Sequence, residues 1–367
     1  MTHKKDNAPI HLPDLDWPQH KRSKWPLVIL IAVFTVAIFA NRIFNRPSEP
    51  LQPDSALNDA VIPTTRLPLS STSTSPITQL SILGQKGGEA INALSFGPHS
   101  NSLGSGDWSG VVKKWNVTTG KLQETYPDQD SNVLVVKFDP DENLVAAGAY
   151  DQKLKIWVTR DGQAWHNLKR HRRPVLSITI SPDGSILASA SFNKVKLWSL
   201  ADGQLLQDLD GVTPVVFSPD GTMVATGDKS GIVKLWQVES GLLLQTIGDS
   251  GGIVKSIAFN PNEPILAVGY GDGTMKLWRI NDDHLLTKYQ GDSGANDVMT
   301  FSPDGKLLVA SGISGEIQIL RTYAWFPMDI LRAHDDVRAL AFSPDATLLA
   351  TGGIMGVIRI WGRHDHD

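Results

Sequence analysis

The fold class the sequence predicts is all-β, a seven-bladed β-propeller preceded by a single membrane-spanning helix and a disordered linker. Three observations predict it. A unit of about forty residues recurs seven times across residues 77–363. A run of sixteen residues without a charge, Trp25–Ala40, stands near the N-terminus. Between them lies a stretch rich in Pro, Ser and Thr with no periodicity.

Composition narrows the chemistry first. The 367 residues contain no cysteine, which removes disulfides, thiol catalysis and cysteine-ligated metals. A formal net charge of −4 gives no overall attraction to nucleic acid.

Residues 1–24 form a polar tail that ends in the basic "QHKRSK". The apolar run from Trp25 resumes past Asn41 and Arg42 with Ile43 and Phe44, so residues 25–44 supply twenty positions if Arg42 snorkels to the headgroups. This reads as an uncleaved signal-anchor helix. The rival is a cleaved signal peptide cut after Ala40; against it stand the long polar leader and Ile38, which is not small. Lys4, Lys5, Lys21, Arg22 and Lys24 precede the span, and Arg42 and Arg46 follow it. Five against two places the N-terminus in the cytoplasm and the rest on the far side of a single-pass membrane protein. Residues 45–76 read as the disordered linker, because they hold too little apolar surface to fold.

The repeat is marked by tryptophans at 115, 157, 198, 236, 278 and 361, with Leu320 in the missing place. The steps are 42, 41, 38, 42, 42 and 41 residues, the size of four short strands with turns. Phe96, Phe138, Ile180, Phe217, Phe259, Phe301 and Phe342 open the units. "SPDG" at Ser181, Ser218 and Ser302 supplies turn residues, and "SG" or "DG" pairs close the next hairpin. Small residues in "LASAS", "MVATG" and "LLATG" suit sheets that converge on an axis. The chain ends just past a third strand, so the last blade lacks a fourth. Residues 77–83, "ITQLSIL", are the spare strand, expected to pair with Val357–Trp361 and close the ring. Residues 364–367 read as a frayed tail.

The pattern "FSPDG…LATG…(S/D)G…VKLW" resembles the WD-repeat family of β-propellers over residues 77–363. The name-giving Trp-Asp pair is absent in every unit. The His of the family's hydrogen-bonded tetrad has counterparts only in His171 and His334, and its Asp only in Asp151 and Asp272, so no blade has the full set. Packing is therefore expected to carry the fold more than the polar network does. The fourth blade is short, in "LDGVTPVVF" before Phe217.

No catalytic constellation, cofactor motif or metal-ligand spacing stands out, and no small-molecule substrate is evident. The resemblance implies a non-catalytic scaffold for an unidentified protein partner, held at a membrane through residues 25–44. The alternative is a hydrolase-like propeller enzyme with a site in the central channel. In the family, the turn before the third strand lies on a rim face that contacts partners. Here that position is aromatic in three consecutive blades, Trp108, Tyr150 and Phe192. Asp336 and Arg338 fall on the same face, and Lys169, Arg170, Arg172 and Arg173 form a basic border beside it. No stacking aromatics interleave that basic cluster, so nucleic acid is not an expected partner.

Overall fold

The structure is a computed structural model. It describes residues 62, 66–70, 75–84, 88–126, 131–168, 171–248, 252–290, 298–312, 314–322, 326–333 and 336–363. The expected anchor at 25–44, the polar tail before it, part of the linker and residues 364–367 lie outside these. Among the described residues no helix is long and apolar enough to cross a membrane.

The described residues form seven four-stranded antiparallel sheets. In blade one the order from axis to rim is Ile91–Phe96, Ser102–Asp107, Val112–Asn116 and Leu122–Tyr126. Blades two to six repeat this order, with inner strands beginning at Val133, Ser177, Val212, Val254 and Val298. Blade seven takes three strands from the C-terminal end, Val337–Phe342, Leu348–Gly353 and Val357–Arg363. Its outer strand is Ile77–Gly84, antiparallel to Val357–Arg363 with Ile77 opposite Arg363 and Gly84 opposite Val357. Each inner strand touches the next around the circle, the first and last included, so the ring is closed.

The turn sequences explain their own recurrence. In blade three the Ser181 hydroxyl donates to Asp183 Oδ1 (2.5 Å) and accepts the Ile186 amide (2.9 Å). Ser218, Ser302 and Ser343 accept the amides of Met223, Leu307 and Leu348 at 2.9–3.0 Å in the same way. One hydroxyl thus satisfies a backbone donor and orients the turn carboxylate. Hydrogen bonds led by the Ser181 hydroxyl hold the Asp183 pKa below its ordinary value.

The tryptophan position has a structural signature of its own. In blades one to six the pairing of third and fourth strands slips by one residue at Trp115, Trp157, Trp198, Trp236, Trp278 and Leu320. Blade seven slips between Gln79 and Ser81, opposite Trp361 and Ile360. Leu320 therefore occupies the tryptophan register. Such a bulge sharpens the local twist.

The apolar core lies between blades. Trp157 packs with Val112 and Tyr126 of blade one, Trp198 with Ile156 and Leu168 of blade two, and Trp236 with Leu197 and Leu209 of blade three. Trp361 packs with Ile317 and Ile319 of blade six, and Trp115 with Leu83 and Ile358 of blade seven. Each wedge joins its blade to the one before it. Truncating a buried Trp typically costs about 3–5 kcal/mol. Blades approach closely enough to demand small residues: a Cβ on Gly106 would lie 2.3 Å from Val133 Cγ1.

The polar network is fuller than the sequence implied. The indole N–H groups of Trp115, Trp198, Trp236 and Trp361 donate to Ser105, Ser189, Thr226 and Thr351 at 2.8–3.0 Å. His171 Nε2 joins Ser189 Oγ at 2.7 Å, so blade three carries three of the four tetrad groups.

The disordered-linker expectation for residues 45–76 needs correction at its described residues 62 and 66–70. Ile62 and Leu69 are each 1% exposed and belong to the core between blades. The Ile62 amide donates to Thr118 O (3.3 Å) and the Leu69 amide to Ala346 O (2.9 Å). Arg363 Nε donates to Leu69 O (3.1 Å), and the Ser70 hydroxyl donates to Asp304. Ile62 and Leu69 are thus two aliphatic anchors, and the described residues around them bond to blades one, seven and six. Two anchors seven residues apart leave no periodicity for sequence reading to find.

A candidate protein-interaction face

The turn between second and third strands positions the aromatic residues. In blade one Asp107 Oδ1 accepts the amides of Ser109 (3.1 Å) and Val111 (3.0 Å) and the Ser109 hydroxyl (2.7 Å). Gly110 completes the turn at φ +93°, a conformation a side chain would resist. Asp228 Oδ1 does the same in blade four, accepting from Ser230 and Ile232 at 2.7–2.9 Å. Burial alone would raise the Asp228 pKa, but the Ser230 hydroxyl and the two amides outweigh it and hold it low. These carboxylates are turn-holders, and the residue after each is projected outward.

Trp108, Tyr150 and Phe192 are 49%, 61% and 52% exposed. The Trp108 amide donates to Ala90 O (2.9 Å) and the Tyr150 amide to Asn132 O (3.0 Å), equivalent bonds in neighbouring blades. The backbone is thus fixed while the ring stays in solvent. Among the described residues no ring contact joins one of these three to another aromatic. The blade-three turn is a residue shorter, and the Ser191 amide closes it on Lys194 O (3.0 Å).

Arg338 and Asp336 meet this row. The Arg338 guanidinium lies 5.9 Å from the Trp108 ring centroid. Its Nε donates to Asp336 Oδ2 (3.3 Å) and its Nη1 to Asn92 Oδ1 (3.3 Å). Asn92 Nδ2 in turn donates to Val133 O (3.1 Å). A polar chain therefore runs from blade seven through blade one to blade two alongside Trp108. Cation–π attraction at such an exposed site is worth about 0.5–1 kcal/mol, and the ion pair fixes the guanidinium over the ring.

Two residues of the expected basic border are described. Arg172 and Arg173 are exposed; Lys169 and Arg170 lie outside the described residues. His171, between them, is buried and turned inward to Ser189. Burial, with Lys196 adding, pulls its pKa down to about 4, and Asp208 opposes this.

The aromatic row drawn from the sequence leaves out Ile354, which the alignment of the seven units puts at the matching turn of blade seven, and its neighbour Met355; they are 42% and 40% exposed. Aliphatic residues there carry less signal than aromatics. With them the exposed apolar row occupies blades seven, one, two and three in succession. In blade four the position holds the exposed Lys229.

A family model described as the IFT122 first beta-propeller matches residues 90–362. A stretch of 52 residues is 48% identical to the Angio-associated migratory cell protein of Homo sapiens, covering 13% of this chain and 12% of that protein. Another, of 67 residues, is 37% identical to the small ribosomal subunit protein RACK1y of Oryza sativa subsp. japonica, covering 17% of this chain and 20% of that one. The chain thus spans a fifth or less of either relative. The family match runs over blades one to seven, and the closed ring of four-stranded blades agrees with it throughout: the chain belongs to the WD-repeat β-propeller family of the IFT122 first beta-propeller.

Proposed function

We propose that this protein is a non-catalytic interaction scaffold, tethered to a membrane by residues 25–44, that captures a protein partner through Trp108, Tyr150 and Phe192. One observation carries the reading: a half-exposed or more exposed aromatic at the same turn position in three consecutive blades. Large rings held on a fixed backbone bind with little entropy cost, and aromatic and Arg anchors dominate interface energetics. Arg338, Asp336, Arg172 and Arg173 supply polar contacts at the border, with Lys169 and Arg170 assigned to the same loop. The rice relative is named as a protein of the small ribosomal subunit, which is an assembly. The N-terminus is assigned to the cytoplasm and the propeller to the opposite side.

The test is Trp108, Tyr150 and Phe192 replaced together by Ala in the full-length chain, with crosslinking in carbonate-washed native membranes. The expected outcome is retention of the chain in the washed membrane, loss of crosslinked partners and a nearly unchanged melting temperature. Unfolding of the triple variant would show the rings to be core. Undiminished crosslinking would place the interface elsewhere, and a soluble form beginning near residue 41 would show that the segment is cleaved.

A further inference from the structure

The opposite mouth of the channel holds a feature that the scaffold reading does not use. Every blade places a proline in the turn that follows its inner strand: Pro98, Pro140, Pro182, Pro219, Pro261, Pro303 and Pro344. Four of them, from blades seven, one, two and three, line one cavity of about 360 Å³. Its other walls include Phe96, Phe138, Thr179 and Ile180. Contributions from the same turn of four successive blades locate the cavity at the end of the channel where the inner strands finish.

Into this cavity the sequence places a single cation. The residue before the last of each inner strand is Ser95, Lys137, Thr179, Val216, Ala258, Thr300 and Ala341. Six are neutral, and Lys137 is one of the residues lining the cavity. It is partly buried and, among the described residues, has neither a hydrogen bond nor an ion pair. Lys113, Lys114, Lys153 and Lys196 are matched with Asp107, Glu142, Asp151 and Asp208, whereas Lys121 and the half-buried Lys155, like Lys137, have no such partner among the described residues; of these only Lys137 lines the cavity. The neighbouring carboxylate at the cavity is turned to the backbone, Asp139 Oδ1 accepting the Leu144 amide at 2.7 Å, and it makes no ion pair with Lys137. Desolvation lowers the Lys137 pKa with no acid opposing it. Burial raises that of Asp139, with Asp141 adding.

An unmatched cation in an apolar setting costs stability, and nothing in the fold needs it. Thr179, Ser181 and Asp139 line the cavity beside Lys137 and the Phe, Ile and Pro surfaces, and a concave pocket that joins apolar walls to a few polar groups is the ordinary form of a small-ligand site.

We propose that Lys137 is the anion anchor of a second binding site at this mouth, which takes a single carboxylate on an apolar body. The carboxylate comes from a free monocarboxylic acid or from an acidic side chain of an apolar peptide. The ammonium pairs with the carboxylate, and the phenylalanine rings and prolines receive the apolar part. One cation sets the preference for a monoanion. A neutral amide of the same shape leaves the ammonium unpaired and is rejected.

The experiment uses the full-length protein with its lysines reductively methylated with ¹³C, which preserves their charge. The Lys137 resonance is assigned with Lys137→Arg. Benzoate, benzamide and the capped peptide acetyl-Leu-Glu-Pro-Phe-amide are titrated separately. The proposal expects a saturable shift of the Lys137 resonance with benzoate or with the peptide, and none with benzamide. Saturation by benzoate alone assigns the site to free acids; saturation by the peptide alone assigns it to a chain. No saturable shift with either, or the same shift at other lysines, overturns it. In parallel Lys137→Met is expected to melt at a higher temperature than the parent, since it removes an unmatched charge. A lower melting temperature would assign Lys137 a structural role and also overturn the proposal. Capture of partners by the aromatic row on the other face is unaffected by Lys137→Met, so the two readings fail separately.

Discussion

At the scale of single residues, one buried indole stands out against a bond repeated in blades one, three, four and seven. Trp278 Nε1 is buried without a hydrogen-bond partner among the described residues. The position that supplies the acceptor in those four blades, opposite the residue two before the Trp, is Ser105, Ser189, Thr226 or Thr351; in blade two it is Ala147 and in blade five Val268. Val268→Thr is expected to raise stability by about 1 kcal/mol by satisfying the donor, and Thr226→Val to lower it by a similar amount. Urea midpoints of the two variants check this, and a larger loss from Val268→Thr than from Thr226→Val would refute it. His171 gives a pH dependence. Its folded pKa of about 4 lies below the ordinary 6.5, so between these values the unfolded chain binds a proton that the folded one does not. Its contribution is therefore present above pH ~6.5 and is lost as pH falls toward ~4, by up to ~3 kcal/mol. The stability of the parent should fall more steeply across this window than that of His171→Gln. Parallel profiles would show that His171 is not the titrating group.

At the scale of elements, closure rests on two pieces from before blade one. The strand Ile77–Gly84 completes blade seven, and Ile62 and Leu69 staple the chain across neighbouring blades. Deleting residues 77–84 exposes an unpaired edge and strips Leu80 and Leu83 from the core, so aggregation or loss of cooperative unfolding is expected. Leu69→Ala is expected to cost roughly 2–5 kcal/mol, as for other buried leucines. Thermal scans that left either variant like the parent would show that closure does not depend on these pieces. The spare strand was legible because alternation and a missing fourth strand at the other end both pointed to it. The staple was not, because a segment held by two side chains and a few backbone bonds looks in composition like one held by nothing. The linker's prolines do not prevent docking; they only remove the donors that would make a strand.

At the scale of the whole molecule, repetition made the ring legible and concealed what is specific to it. A fault such as Leu320 stands out against the period, and so does an aromatic at one turn in three blades. The isolation of Lys137 does not, because it depends on which neighbours turn their polar atoms elsewhere, as Asp139 does toward Leu144. The same repetition keeps most pairings between strands adjacent in the chain, a topology that favours rapid folding blade by blade. The joint between Ile77–Gly84 and Val357–Arg363 is the exception. From Gly84 to Val357 is 357 − 84 = 273 residues, so the first of the described strands to leave a ribosome waits for the last of them. At roughly 5–20 residues per second that interval is on the order of a quarter of a minute to a minute. Throughout it an apolar strand has no mate, while blades one to six can already stand. Two nascent chains side by side on one message can then exchange these strands, each completing the other's last blade, so the seam that closes the monomer is also the point at which two copies can become entangled.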